Sequence, residues 1–145
     1  MPYTVKKVDM WIGRIEDRVG GLAEKLDPLA DSGADLELVI ARRQRHVPGK
    51  GVVFVGPVLS AKAKAAARKA GLRKASDMVA LRVEGPNKPG EGRRITRLLA
   101  DSGLNLRGLS ALVLGKKFIA FVAFDHDSDA TKAARLLRSA GKHSK

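Results

Sequence analysis

The sequence matches itself when shifted by 70 residues. Leu29-Ala30-Asp31-Ser32-Gly33 recurs as Leu99-Ala100-Asp101-Ser102-Gly103, and the same ungapped shift pairs Gly20 with Gly90, Leu36 with Leu106, Val52 with Val122, Phe54 with Phe124, Lys62 with Lys132 and Arg68 with Arg138. Coincidences in one frame mean two copies of one supersecondary unit. The reading is therefore two modules, residues 1–75 and 76–145, joined near Arg73 to Ser76.

Each copy can be read for periodicity. Val8, Met10 and Ile12 alternate with Asp9, Trp11 and Gly13, as do Val79, Leu81 and Val83 with Ala80, Arg82 and Glu84, a period of two that predicts a first strand. A glycine-bearing loop follows in both copies. Leu22, Leu26, Leu29 and Ala30, and later Ile95, Leu98 and Leu99, fall at helical spacing before Gly33 and Gly103, where a left-handed cap ends a helix. Pro28 inside the first helix predicts a kink. Two β-rich runs come next in each copy: Leu36 to Ala41 with Val52 to Val55, then Leu104 to Leu114 with Phe118 to Phe124. Ser60 and Asp127 to Asp129 offer N-caps to second helices with inner faces at Ala63, Ala66, Ala67 and Ala70, and at Ala133, Leu136, Leu137 and Ala140, ending at Gly71 and Gly141. The order strand, helix, strand, strand, helix, with a further strand supplied after the first copy by the start of the second, is the ferredoxin-like α+β arrangement: antiparallel sheets with two helices on one face each. The tail from Lys142 to Lys145 supplies no fourth strand to the second copy, so either the segment Tyr3 to Ile15 or another chain must complete that edge.

Composition narrows the function. With 44% hydrophobic residues the chain can build cores, while 28 Lys and Arg against 15 Asp and Glu give a net charge of +13 spread over both halves. That excess keeps polyanion binding open. No cysteine means no disulfide, thiolate metal site or cysteine nucleophile. Met1 to Lys7 carries no apolar segment behind its charges and no run of about 18 apolar residues exists, so a soluble cytoplasmic protein without a membrane partner is expected. His46, His126 and His143 are scattered and no nucleophile elbow occurs, which predicts a non-enzyme without metal or cofactor. Gly85 to Gly90 has phosphate-loop spacing but Glu91-Gly92 replace the required Lys and Ser or Thr. Asp125 to Asp129 begins like a calcium loop, but Ala130 and Leu136 occupy the glycine and glutamate positions. Trp11 is assigned to core or interface packing.

Ile15-Glu16-Asp17-Arg18-Val19-Gly20-Gly21-Leu22-Ala23, leading to Leu29 through Leu36, resembles the first half of an ACT domain; Val83-Glu84-Gly85-Pro86-Asn87-Lys88-Pro89-Gly90, leading to Leu99 through Leu106, resembles it better. Together the two stretches recur in the right order over nearly the whole chain. The resemblance implies a stand-alone tandem ACT-type regulator that binds a free amino acid where the loop after one module's first strand faces the second strand of a neighbour. It also implies a homo-oligomer and signalling to a partner enzyme or regulator. The ligand-binding residues carried over are Asp17, Arg18, Val19, Gly20, Gly21 and Asp35, and Asn87, Lys88, Pro89, Gly90 and Asn105. A glycine loop opening a helix presents backbone N–H groups and a positive helix end to a carboxylate, and Asn87, Asp17, Asp35 or Asn105 can accept from an ammonium group. For Asp35 and Asn105 turn formation stands beside ligand contact, and for Asp17 helix capping stands first. Val19 replaces the usual loop proline and Gly92 stands where the first copy has Leu22, so the two sites are expected to differ.

The alternative is a tandem RRM-like RNA-binding protein, which has the same element order. Lys117-Phe118-Ile119-Ala120-Phe121-Val122-Ala123-Phe124 and Lys50-Gly51-Val52-Val53-Phe54-Val55 partly match its ribonucleoprotein motif. That reading needs exposed aromatics for base stacking, whereas a strand apolar on both faces predicts a sheet covered on both sides. The basic hairpin Arg42 to Gly51 is the best local candidate for phosphate contact, and equally a solvated hairpin tip.

Overall fold

Tyr3 and Val5 are buried and Thr4 and Lys6 exposed, an alternation that makes the first residues a strand before the one expected from sequence. The computed structural model describes residues 3–140. The elements are β1 (Thr4–Val8), β2 (Trp11–Glu16), α1 (Gly21–Asp31), β3 (Leu38–Arg43), β4 (Lys50–Gly56), α2 (Ala61–Lys69), β5 (Arg73–Lys74), β6 (Val79–Pro86), α3 (Glu91–Asp101), β7 (Gly108–Leu114), β8 (Lys117–Phe124) and α4 (Asp127–Ala140). The expected helix end at Gly141, the tail Lys142 to Lys145 and His143 lie outside the described residues. None of the helices described is long and apolar enough to cross a membrane.

The strands form two antiparallel four-stranded sheets, ordered β3-β4-β2-β5 and β1-β6-β8-β7. Asp9–Ala75 forms one compact unit, and the segment before Asp9 joins the residues from Ser76 onward in the other. Each is a ferredoxin-like α+β module with its own core. In the first, Trp11, Leu29, Val53, Val55, Ala63 and Ala67 pack together, with Leu22 and Leu26 of α1 half-buried against them. In the second, Leu81, Val83, Ile95, Leu99, Val122, Phe124 and Leu137 have no measurable exposure. Burying each such side chain contributes roughly 1.5–3 kcal/mol.

The sequence reading counted residues 3–8 with the first module, ran its first strand from Val8 to Gly13, and offered the segment Tyr3 to Ile15 or another chain to complete the second module's edge, which Thr4–Val8 of that segment does. The chain instead breaks at Asp9-Met10, and β1 pairs with β6 from Thr4↔Glu84 to Val8↔Ala80. The physical reason is the open edge of β6, which β1 closes. Side chains hold it there: the Tyr3 hydroxyl donates to the buried Glu91 carboxylate, Arg138 donates to the Val5 carbonyl at 2.7 Å, and Lys7 pairs with Asp127 at 2.8 Å. The core register of β2 is consequently set by Trp11 and Ile15 rather than by Met10 and Ile12.

Local signals match the helix ends. Ser60 caps α2 by accepting the Ala63 N–H at 3.0 Å, and Gly33 and Gly103 adopt φ of 82° and 78° after α1 and α3. Pro28 lies in the last turn of α1, which runs on to Asp31 unbroken. Trp11 is a core residue, with the Arg68 guanidinium 5.5 Å from its ring centre.

Candidate functional site

Each first helix starts from a glycine in the left-handed region. Gly20 has φ of 83° and Gly90 of 89°, and neither α1 nor α3 receives a side-chain cap. The Glu24 N–H reaches Gly20 O at 3.0 Å and the Arg94 N–H reaches Gly90 O at 2.9 Å. These are the first helical bonds, so the preceding N–H groups, of Leu22 and Ala23 and of Gly92 and Arg93, point out of the helix end.

The loops differ in what surrounds them. In the first, Asp17 does not cap the helix: its carboxylate pairs with Arg43 at 2.6 Å and its N–H donates to Gly49 O at 3.0 Å. Arg18 is pinned to Glu24, which raises its pKa, and Val19 is 99% exposed. Gly21 is a packing residue, because a Cβ there would stand 2.0 Å from Glu16 O. Asp17, Arg18, Leu22, Arg42 and Arg43 line a cavity of about 230 Å3. Glu16 at its rim is held below the ordinary carboxylate range by the hydrogen bond and charge of Lys50. Arg43 and Lys50, two cations of the basic hairpin, are thus spent on carboxylates of their own module.

In the second loop, Asn87 donates its N–H to Lys116 O at 2.8 Å, tying the loop to the β7–β8 turn. Lys88, Pro89 and Gly90 are exposed. Pro89, Gly90, Arg93, Arg94 and Arg97 line a cavity of about 370 Å3. A sequence reading of the loop alone misses these arginines, although their i, i+1, i+4 spacing puts them beside the helix start. It also misses Glu91, 4% exposed, which receives the Tyr3 hydroxyl and lies 3.6 Å from Arg94. Burial, followed by the Glu91 hydrogen bond and charge, pushes the Tyr3 hydroxyl far up, so it stays a neutral donor.

Asp35 and Asn105 are exposed in the connectors before β3 and β7. Both strands are sheet edges, separated from β2 and β6 by β4 and β8. Two strand spacings are about 10 Å, so neither residue meets the loop of its own module. The RNA-stacking positions of the second module are closed: Ile119 and Phe121 are each 8% exposed, which denies a base the face of the ring. Among the described residues no group of His, Asp and Glu has a metal-holding arrangement.

No protein-family profile matches the chain, and no curated protein matches it. Solved structures do. Protein BT0572 from Bacteroides thetaiotaomicron superposes with a TM-score of 0.75 at 16% identity, covering 96% of this chain and 90% of that one. The ligand-free regulatory subunit of aspartate kinase from Thermus thermophilus gives 0.67 at 14% identity, covering 100% and 98%. In aspartate kinase from Clostridium acetobutylicum the likeness, 0.65 at 16% identity, takes in 98% of this chain but 34% of the enzyme. The chain therefore has the tandem ferredoxin-like fold of the regulatory subunits of aspartate kinase, in keeping with the ACT-domain resemblance of its sequence.

Proposed function

We propose that the protein is a non-catalytic tandem ACT-type regulator that binds a free amino acid and passes its occupancy to a partner enzyme or regulator. The observation that carries this reading is the repeated loop: Gly20 and Gly90 open helices with no side-chain cap, leaving N–H groups for a carboxylate. The arginines beside Gly90 make the second loop the stronger anion site. Acceptors for the ammonium group come from a neighbour's edge-strand entry, Asn105 or Asp35, since neither reaches a loop within its own module. A second copy suits this role, because edge strand β7 exposes Leu109, Leu112, Val113 and Leu114. The fold likeness to aspartate kinase regulatory subunits supports regulation as the class of function. A ligand acts on the partner only as far as it favours one arrangement of the protein over another.

The test is thermal unfolding against each of the twenty amino acids. A ligand at 100 times its Kd contributes about 2.7 kcal/mol, a shift of several degrees. Silence from all twenty, with stabilisation by single-stranded RNA that fades as salt rises, would replace sensing by RNA binding.

A further inference from the structure

The two sheets differ at equivalent edges. In the second module the inner strand β6 is paired along five residues by β1, whereas in the first module β5 covers β2 only at Trp11 and Ile12. Beyond Ile12 that side of β2 has no ladder partner among the described residues, although Gly71 and Leu72 still lie against Gly13, so the edge is open from Arg14 on; the other side stays paired to β4 as far as Glu16. The Ala75 N–H donates to Met10 O at 2.8 Å, so the even-numbered residues of β2 aim their backbone groups at this edge. The N–H and C=O of Arg14 and the N–H of Glu16 accordingly face it. The Glu16 carbonyl turns back to accept from Arg18 at 2.9 Å, which ends the open stretch.

A cavity of about 580 Å3 runs along this edge, and Ile12, Arg14, Lys25, Gln44, Val52 and Arg73 are among its walls. Lys25 anchors one side through a 2.6 Å bond to the Ala70 carbonyl. Its one carboxylate, Glu16, is already taken by Lys50. Gln44 Oε1 is buried with no hydrogen-bond donor among the described residues. An unfinished edge, three cations and an acceptor awaiting a donor describe a strand-shaped site with positive walls.

We propose that this edge binds a short acidic segment of a partner protein in extended conformation, which adds a strand to β2 beyond β5. Main-chain bonds to Arg14 and Glu16 hold the segment, Ile12 and Val52 take an apolar side chain, and Arg14, Lys25 and Arg73 select carboxylates. The site shares only Glu16 with the cavity at the first glycine loop and no residue with that at the second, and it does not depend on amino-acid binding. Its occupant would be the partner that the regulatory reading calls for.

The probe is a fluorescent hexapeptide alternating valine and glutamate, titrated into the full-length protein by anisotropy. Controls are the valine–lysine hexapeptide and the acidic peptide N-methylated at alternate bonds. Binding of the acidic peptide should exceed both, and should fall about tenfold in Arg14→Glu/Arg73→Glu, two exposed changes that reverse the charge of the walls. Hydrogen exchange should show new protection at the Arg14 and Glu16 amides. Equal binding of the N-methylated peptide would remove strand addition. Equal binding of the lysine peptide would remove the charge selection, and no binding at millimolar peptide would overturn the site. Sedimentation showing that the same double variant abolishes self-association, with no peptide bound by the wild type, would assign the edge to a second copy instead. A failed amino-acid screen leaves all these outcomes readable.

Discussion

Gly92 offers a substitution that separates folding from ligand binding. It lies in the first turn of α3, has no left-handed φ, and a Cβ built on it meets nothing within 4 Å. Replacing glycine by alanine inside a helix gains up to about 1 kcal/mol, and a carboxylate in an uncapped first turn adds about 0.3–1 kcal/mol against the helix dipole. Aspartate keeps only about 0.3 kcal/mol of that propensity gain, so Gly92→Asp should raise the unfolding midpoint by roughly 3 °C for about 1 kcal/mol. The same carboxylate would stand where the ligand's carboxylate is proposed to bind. At about 4 Å two like charges repel by roughly 1 kcal/mol in water and 4 kcal/mol near a protein surface, so affinity should fall at least about fivefold. Gly92→Ala should bring a stabilising gain of similar size and keep the ligand. The assay is differential scanning fluorimetry of the three proteins with and without the amino acid that stabilises the wild type. A ligand-induced shift in Gly92→Asp equal to that of the wild type would refute the placement of the carboxylate. Destabilisation by both substitutions would refute the account of the helix start itself. Gly90 is a poorer choice, since its φ of 89° strains any side chain irrespective of ligand.

Three further outcomes follow from the same geometry. Tyr3→Phe leaves the buried Glu91 carboxylate without its hydroxyl donor and should destabilise the second module by about 1–3 kcal/mol, read by urea denaturation; an unchanged midpoint would mean that the pair does not hold β1. Gly21→Ala places a carbon 2.0 Å from Glu16 O and should cost about 1–3 kcal/mol; wild-type stability would show that the β2–α1 junction gives way freely. Lys117 at 2.8 Å and Arg82 at 2.6 Å hold the Glu84 carboxyl below its ordinary 4.5. A depressed folded pKa gives stability that is complete above the unfolded value and is lost as pH falls through the folded one. Melting midpoints should hence drop below about pH 4.5, and less steeply in Glu84→Gln; identical slopes would exclude this carboxylate as a source of acid sensitivity.

The repeat, the order of the helices and strands from β2 to α4, and the ends of α1 to α3 were legible in the sequence because each is a local property written twice. Glycine at Gly33 and Gly103 ends a helix whatever packs around it, and Ser60 caps the next helix with an atom three residues from its partner. The loops Asp17 to Gly21 and Asn87 to Gly90 were legible as the turns that open α1 and α3. Their chemistry was not. Asp17 reads as a cap or an acceptor until Arg43, 26 residues away, is brought to 2.6 Å by the β2–β4–β3 ladder. Arg93, Arg94 and Arg97 have no role in the sequence pattern and acquire one only where the loop folds beside them.

By itself the sequence determined two copies of one α+β module, the stops of α1, α2 and α3 and a net positive charge. Tertiary structure decided which strand completes which sheet: Thr4–Val8 closes the β6 edge across some 80 residues of chain, and two residues of β5 leave the β2 edge unfinished. The physical reason is range. Caps, turns and periodicity act over a few residues and are fixed by neighbours in the chain. Edge pairing and long-range ion pairs depend on loop closure and on which surfaces compete for the same strand, and that competition is settled only when the whole chain has folded.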